Sequence, residues 1–84
     1  MHPRAILARN LKRLRRLKGL SQEALAHDAG LDRTYVSDLE REVYAASVDT
    51  LAALAAVFNV RASDLLNQQF DPNGVPGEPD TGAN

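Results

Sequence analysis

The stretch from Ser21 to Arg41 constrains this chain most. Two short helical segments, about Gln22–Ala29 and Arg33–Arg41, are joined by Gly30-Leu31-Asp32. A glycine-containing turn of three to four residues between helices of two to three turns describes a helix-turn-helix. Gly30 tolerates the positive φ such a turn needs. Ala26 and Ala29 are small enough to let the helices approach, and Leu25, Leu31, Val36 and Leu39 can fill the space between them. Ser21 and Asp32 are natural N-caps for the two helices.

Three more helices surround this pair. The first runs from about Arg4 to Lys18, with Leu7, Leu11 and Leu14 at helical spacing and Leu17 extending the stripe. Gly19 stands where a left-handed C-terminal cap belongs. Ser47 caps a fourth helix, about Val48–Phe58, whose Leu51, Leu54, Ala55 and Phe58 lie at i, i+3, i+4 and i+7. A last short helix covers about Ala62–Asn67. No segment alternates with period two for long enough to be a strand. The expected class is all-α, a compact five-helix domain over residues 1–70. Residues 71–84 hold three of the four prolines, three of the five glycines and no apolar periodicity, so a disordered tail is expected there.

Size and composition narrow the function. A chain of 84 residues fits one domain. It has no cysteine, and its two histidines, His2 and His27, have no ligand cluster between them, so neither a thiolate site nor a metal site is expected. No glycine-rich phosphate loop occurs, and His27-Asp28 reads as solvated surface. Neither catalytic residues nor a cofactor are expected. No apolar run approaches the ~18 residues of a membrane span, and Ile6-Leu7-Ala8 is too short for a signal-peptide core. A small, soluble, cytoplasmic protein is expected.

The net charge of −1 hides an asymmetry. Of the ten Lys/Arg, seven (Arg4, Arg9, Lys12, Arg13, Arg15, Arg16 and Lys18) precede residue 21, and all eleven acids follow it. Such a division hints at a polyanionic partner. On the third helix, Thr34, Ser37, Asp38 and Arg41 form one polar stripe, flanked by Arg33 and Tyr35. These short or planar hydrogen-bonding groups are the types that read base edges or grip phosphates. Gln22 stands at a helix N-terminus, where backbone N–H groups face an anion. Val36, Leu39 and Glu40 point the other way. A carboxylate turned inward needs a partner, and Arg15, beside the leucine stripe, is the expected one.

Leu20-Ser21-Gln22-Glu23-Ala24-Leu25-Ala26, then Gly30-Leu31, then Tyr35-Val36-Ser37-Asp38-Leu39-Glu40-Arg41 resemble the Cro/repressor-type (Xre-like) helix-turn-helix domain. Asp49-Thr50-Leu51, Leu54-Ala55, Phe58 and Val60 continue the match. The resemblance implies a lambda-repressor-like fold whose third helix enters the major groove of double-stranded DNA. It implies base reading by Arg33, Thr34, Ser37 and Asp38. It also implies backbone contact by Arg41, and a Gln22 that meets a phosphate and supports the first residue of the third helix. Tyr35 and Tyr44 complete the expected backbone contacts. The Arg15–Glu40 pair occurs in family members too. Leu31-Asp32-Arg33-Thr34-Tyr35-Val36-Ser37 is similar to the recognition segment of restriction–modification controller proteins, which are small dimeric regulators of their own operons.

The chain departs from the family in places. Glu42 stands where Gly or Asn is frequent, the loop Val43-Tyr44-Ala45-Ala46 lacks basic residues, and Arg61 replaces a Ser/Thr cap, with Ser63 as a rival. The reading face is near neutral, with Arg33 and Arg41 against Asp38 and Glu42. A homodimer on a palindromic operator is expected, with half-sites roughly 34 Å apart and a dimer surface among Phe58, Val60, Leu65 and Leu66, with Phe70 as a further candidate. The alternative is a protein-interaction module or antitoxin-type protein that keeps the fold and binds a toxin or polymerase instead.

Overall fold

The computed structural model describes residues 2–74. Five α-helices, α1 (Pro3–Leu17), α2 (Gln22–Ala29), α3 (Arg33–Glu40), α4 (Val48–Phe58) and α5 (Ala62–Leu65), are followed by a 3-10 turn at Pro72–Gly74. No strand occurs among the described residues. The expected all-α, five-helix class is what forms.

Local chemistry sets the boundaries. Pro3 opens α1, where its missing N–H costs nothing. Ser21, Asp32 and Ser47 each cap a helix, their side-chain oxygens accepting from the backbone N–H of Ala24, Thr34 and Thr50 at 3.0, 2.7 and 3.1 Å. Neither expected cap serves α5. Arg61 occupies the cap position without a side-chain bond, Ser63 lies inside the helix, and the Asp64 carboxylate accepts from Arg61 N–H at 3.0 Å.

The first four helices end alike. In each, an N–H beyond the helix closes a six-residue loop: Leu20 to Arg15 O, Leu31 to Ala26 O, Val43 to Asp38 O and Val60 to Ala55 O, at 2.8–3.0 Å. The residue before that N–H is left-handed: Gly19, Gly30, Glu42 and Asn59, with φ of 74°, 70°, 66° and 56°. This is the Schellman ending, which favours glycine and tolerates asparagine. Glu42 alone carries a side chain with no aptitude for it.

The core runs between all five helices: Leu7, Leu11, Leu14, Leu25, Val36, Leu39, Leu54 and Leu65, closed by Phe58 and Phe70. Leu17 does not extend the α1 stripe inward. It is 58% exposed at the helix end. Asn10, on the buried side of α1, is fully enclosed. Its amide Nδ2 lies 3.2, 3.1 and 3.0 Å from the carbonyls of Asp64, Leu65 and Asn67. Arg9 donates to the Gln68 carbonyl beside it. The C-terminal carbonyls of α5 thus find side-chain donors on α1, and α5 stops at Leu65, two residues short of the expected end. Lys18 does the same for α4, its Nζ 2.6 Å from Val57 O.

The first residues of the expected tail are packed against the domain. Pro72 is buried, and Asp71, Pro72 and Asn73 share a hollow with Arg13, Arg16 and Leu17 of α1. Residues 75–84 of the expected tail lie outside the described residues.

Candidate nucleic-acid interface

The helix-turn-helix is positioned by charge as well as by packing. Glu40, only 5% exposed, receives Arg15 in two bonds, Nε to Oε2 at 2.6 Å and Nη2 to Oε1 at 3.0 Å. Arg15 Nη1 also reaches Leu20 O at 3.0 Å. The hydrogen bond to Glu40 raises the guanidinium pKa above its ordinary value, against a smaller opposing effect of burial. The expected Arg15–Glu40 pair therefore forms, and it fixes α3 against α1 in one orientation.

Gln22 is drawn into the same cluster. Its Nε2 donates to Glu40 Oε1 at 3.0 Å. The resemblance implied support of the first residue of α3. Here the amide braces the last residue of α3 instead, because the buried carboxylate has acceptor capacity left. One Gln22 N–H and its carbonyl oxygen remain for another partner.

Outward from this brace lies the polar stripe. Arg33 and Thr34 are exposed at the start of α3, and Ser37 and Asp38 are half-buried further along it. Arg41 is exposed just past the helix end, and its Nη1 lies 3.3 Å from Asp38 Oδ1. Thus one expected base reader is paired with one expected backbone contact. Tyr35 is half-buried against the core, and its ring meets that of Tyr44 with centroids 6.5 Å apart. Tyr44, 54% exposed, lies on the loop between α3 and α4. All eight expected contact residues lie on α2, α3 or the loop that follows.

The expected dimer residues separate. Leu65 is fully buried and Phe58 and Phe70 nearly so, because α5 and the segment after it close the core. These three have almost no surface to offer a partner. Val60 is half-buried, and Leu66 is 44% exposed. Leu66 lines an apolar hollow of about 150 Å³ with Pro3, Leu7, Ala46 and Leu51. Sequence reasoning missed Asn10, although a lone amide between Leu7 and Leu14 on the apolar stripe was the available signal. Among the described residues no group of three or more His, Cys, Asp or Glu could hold a metal ion, and no helix is long and apolar enough to cross a membrane.

The chain is similar to several known proteins. A "Neisseria hypothetical transcription factor" from Neisseria meningitidis is 46% identical over 63 residues, which are 75% of this chain and 59% of the relative. The chain therefore spans less than two thirds of that relative's length. "Control protein C.SmaI" of Serratia marcescens is 39% identical over 69 residues, 82% of each protein. The solved N-terminal DNA-binding domain of SinR from Bacillus subtilis superposes with a TM-score of 0.74 at 29% identity, covering 80% of this chain and 99% of that domain. The helix-turn-helix family model HTH_3 matches residues 11–65, from the middle of α1 to the end of α5, and the chain belongs to that family.

Proposed function

We propose that this protein is a sequence-specific DNA-binding transcriptional regulator that works without catalysis, with α3 as the helix that enters the major groove. The observation that carries the reading is the polar stripe Thr34, Ser37, Asp38 and Arg41, with Arg33 beside it, along and just past a helix held by a buried ion pair. Sites of this kind need groups fixed in direction, since phosphate contacts set register while base contacts specify. Arg33 and Thr34, uncovered at the start of α3, are assigned to base edges with Ser37 and Asp38. Arg41, Tyr35, Tyr44 and the free N–H of Gln22 are assigned to the backbone. The similarity to a controller protein along 82% of both lengths favours autoregulation.

One eight-residue helix reads few base pairs. We assign the protein to a homodimer on a palindromic operator, with Leu66 and Val60 as the apolar surface still open at the α5 end. Its place is the cytoplasm, on the nucleoid. The test is fluorescence anisotropy with duplex from upstream of its own gene and a shuffled control, at two salt concentrations. A preference of about 10³-fold or more supports the regulator. The near-neutral face, with Arg33 and Arg41 against Asp38 and Glu42, favours a second reading: an antitoxin-type or other interaction module bound to a toxin or polymerase. Absence of binding to any duplex at low salt would select it.

A further inference from the structure

We propose that Asp38 and Arg41 form a specificity latch: Asp38 holds the Arg41 guanidinium off the DNA backbone until a base-edge amino group engages the carboxylate. The inference rests on the reading of α3 as the DNA-facing helix.

The geometry gives the two partners different roles. The Asp38 side chain is only 16% exposed, whereas that of Arg41 is 68% exposed. The carboxylate is the fixed member and the guanidinium the mobile one. Asp38 is fixed by its backbone as well, since its carbonyl accepts the Val43 N–H at 2.9 Å. Arg41 touches it through Nη1 alone, at 3.3 Å, which leaves most of its five donors unused.

Acceptor chemistry then decides what each state does. A carboxylate only accepts, and so do phosphate oxygens, so Asp38 has no partner on the DNA backbone. Its partners on a duplex are the amino groups of cytosine or adenine in the major groove. Every base pair carries one such amino group, on one strand or the other, so its position decides. Where it lies out of the carboxylate's reach, Arg41 remains the best donor available to Asp38. The cation is then neutralised within the protein and adds nothing to phosphate binding. Where an amino group meets Asp38, Arg41 is released to a phosphate. A base identity is thereby converted into a charge contact one helical turn away. Glu42, the exposed acid directly after Arg41, adds to the penalty for approaching a sequence that does not open the latch.

Counterion release reads this directly, because each phosphate neutralised steepens the slope of log K against log salt by about 0.9. Full-length wild type, Asp38→Ala, Arg41→Gln and the double variant would be titrated on two probes. One is a random-sequence duplex pool, and the other is the duplex that wild type selects from that pool. On the random pool, Arg41→Gln should leave the slope of wild type unchanged but lower that of Asp38→Ala by about 0.9. On the selected duplex it should lower the wild-type slope by the same amount. Asp38→Ala alone should bind the random pool several-fold more tightly and cut the selected-to-random ratio by roughly tenfold, the size of one lost base contact. Circular dichroism melts show whether each variant is folded. An equal loss of slope on the random pool in both backgrounds would overturn the latch, since Arg41 was then never held. No change of slope on either duplex would overturn it too, since Arg41 then touches no phosphate. A wild type that binds neither probe would instead remove the DNA reading on which the latch depends.

Discussion

Replacing Glu42 by glycine should make the domain more stable. Glu42 sits at φ 66° in the Schellman ending of α3, the position that glycine occupies after α1 and α2. A left-handed residue with a Cβ costs about 1–2 kcal/mol. Glycine removes that cost but returns about 0.5–1 kcal/mol through the greater freedom of its unfolded chain. The net gain is about 0.5–1 kcal/mol, which for a domain of this size raises Tm by about 2–8 °C. Glu42→Ala supplies the control, because it removes the acid and keeps the Cβ. Gly30→Ala is the reverse experiment. Its φ is 70° and an added Cβ meets nothing within 4 Å, so the loss it causes measures backbone strain less the gain from a stiffer unfolded chain, with no clash added. Urea and thermal unfolding followed at 222 nm would give all three. If Glu42→Gly were no more stable than Glu42→Ala, the strain argument would be wrong. Binding to random duplex separates charge from strain, since the glycine and alanine variants should tighten it equally.

Other outcomes follow from the same geometry. Arg15→Ala should cost about 3 kcal/mol, because it leaves the buried Glu40 carboxylate with only the Gln22 amide, while Arg15→Met with Glu40→Leu should cost less than either single change. A denaturation midpoint shift equivalent to under about 1 kcal/mol for Arg15→Ala would refute the buried-pair account. Asn10→Leu should cost about 1–3 kcal/mol by orphaning the carbonyls after α5. Hydrogen exchange should then quicken at Leu66 and Asn67 before it does in α2 and α3. Arg33→Ala should lose about 1–3 kcal/mol of affinity for the selected duplex and relax base preference at one position, as read by repeating the selection with the variant.

Most of the fold was legible in the residues because its signals are local. Ser21, Asp32 and Ser47 cap where hydroxyl and carboxylate chemistry says they should, and Gly19 and Gly30 turn where their φ allows. The Arg15–Glu40 pair was legible because an inward carboxylate has few ways to be satisfied. What escaped were contacts between residues more than fifty positions apart. Asn10 meets residues 64–67, and no propensity or period encodes that meeting. The same blindness hid the end of α5 and the burial of Leu65, both of which depend on where α1 lies. For Gln22, the nearer competitor was Glu40, whose position only the folded chain reveals.

The clasp between α1 and the chain after α5 has a consequence for the DNA itself. Asn10 ties α1 to residues 64–67, and Arg15, five positions later on the same helix, ties it to α3. On an α-helix five residues span about 7.5 Å with no joint between them. The α5 end and α3 are therefore parts of one stiff body. In the proposed homodimer, joined at the α5 end, the distance and angle between the two α3 helices would be a property of the fold, like the jaws of a fixed-gap gauge. Such a gauge cannot follow a lengthened target. One base pair added between half-sites moves them about 3.4 Å apart and turns one by about a tenth of a revolution. A single inserted base pair at the centre of symmetry should then weaken binding more than a single mismatch at its edge.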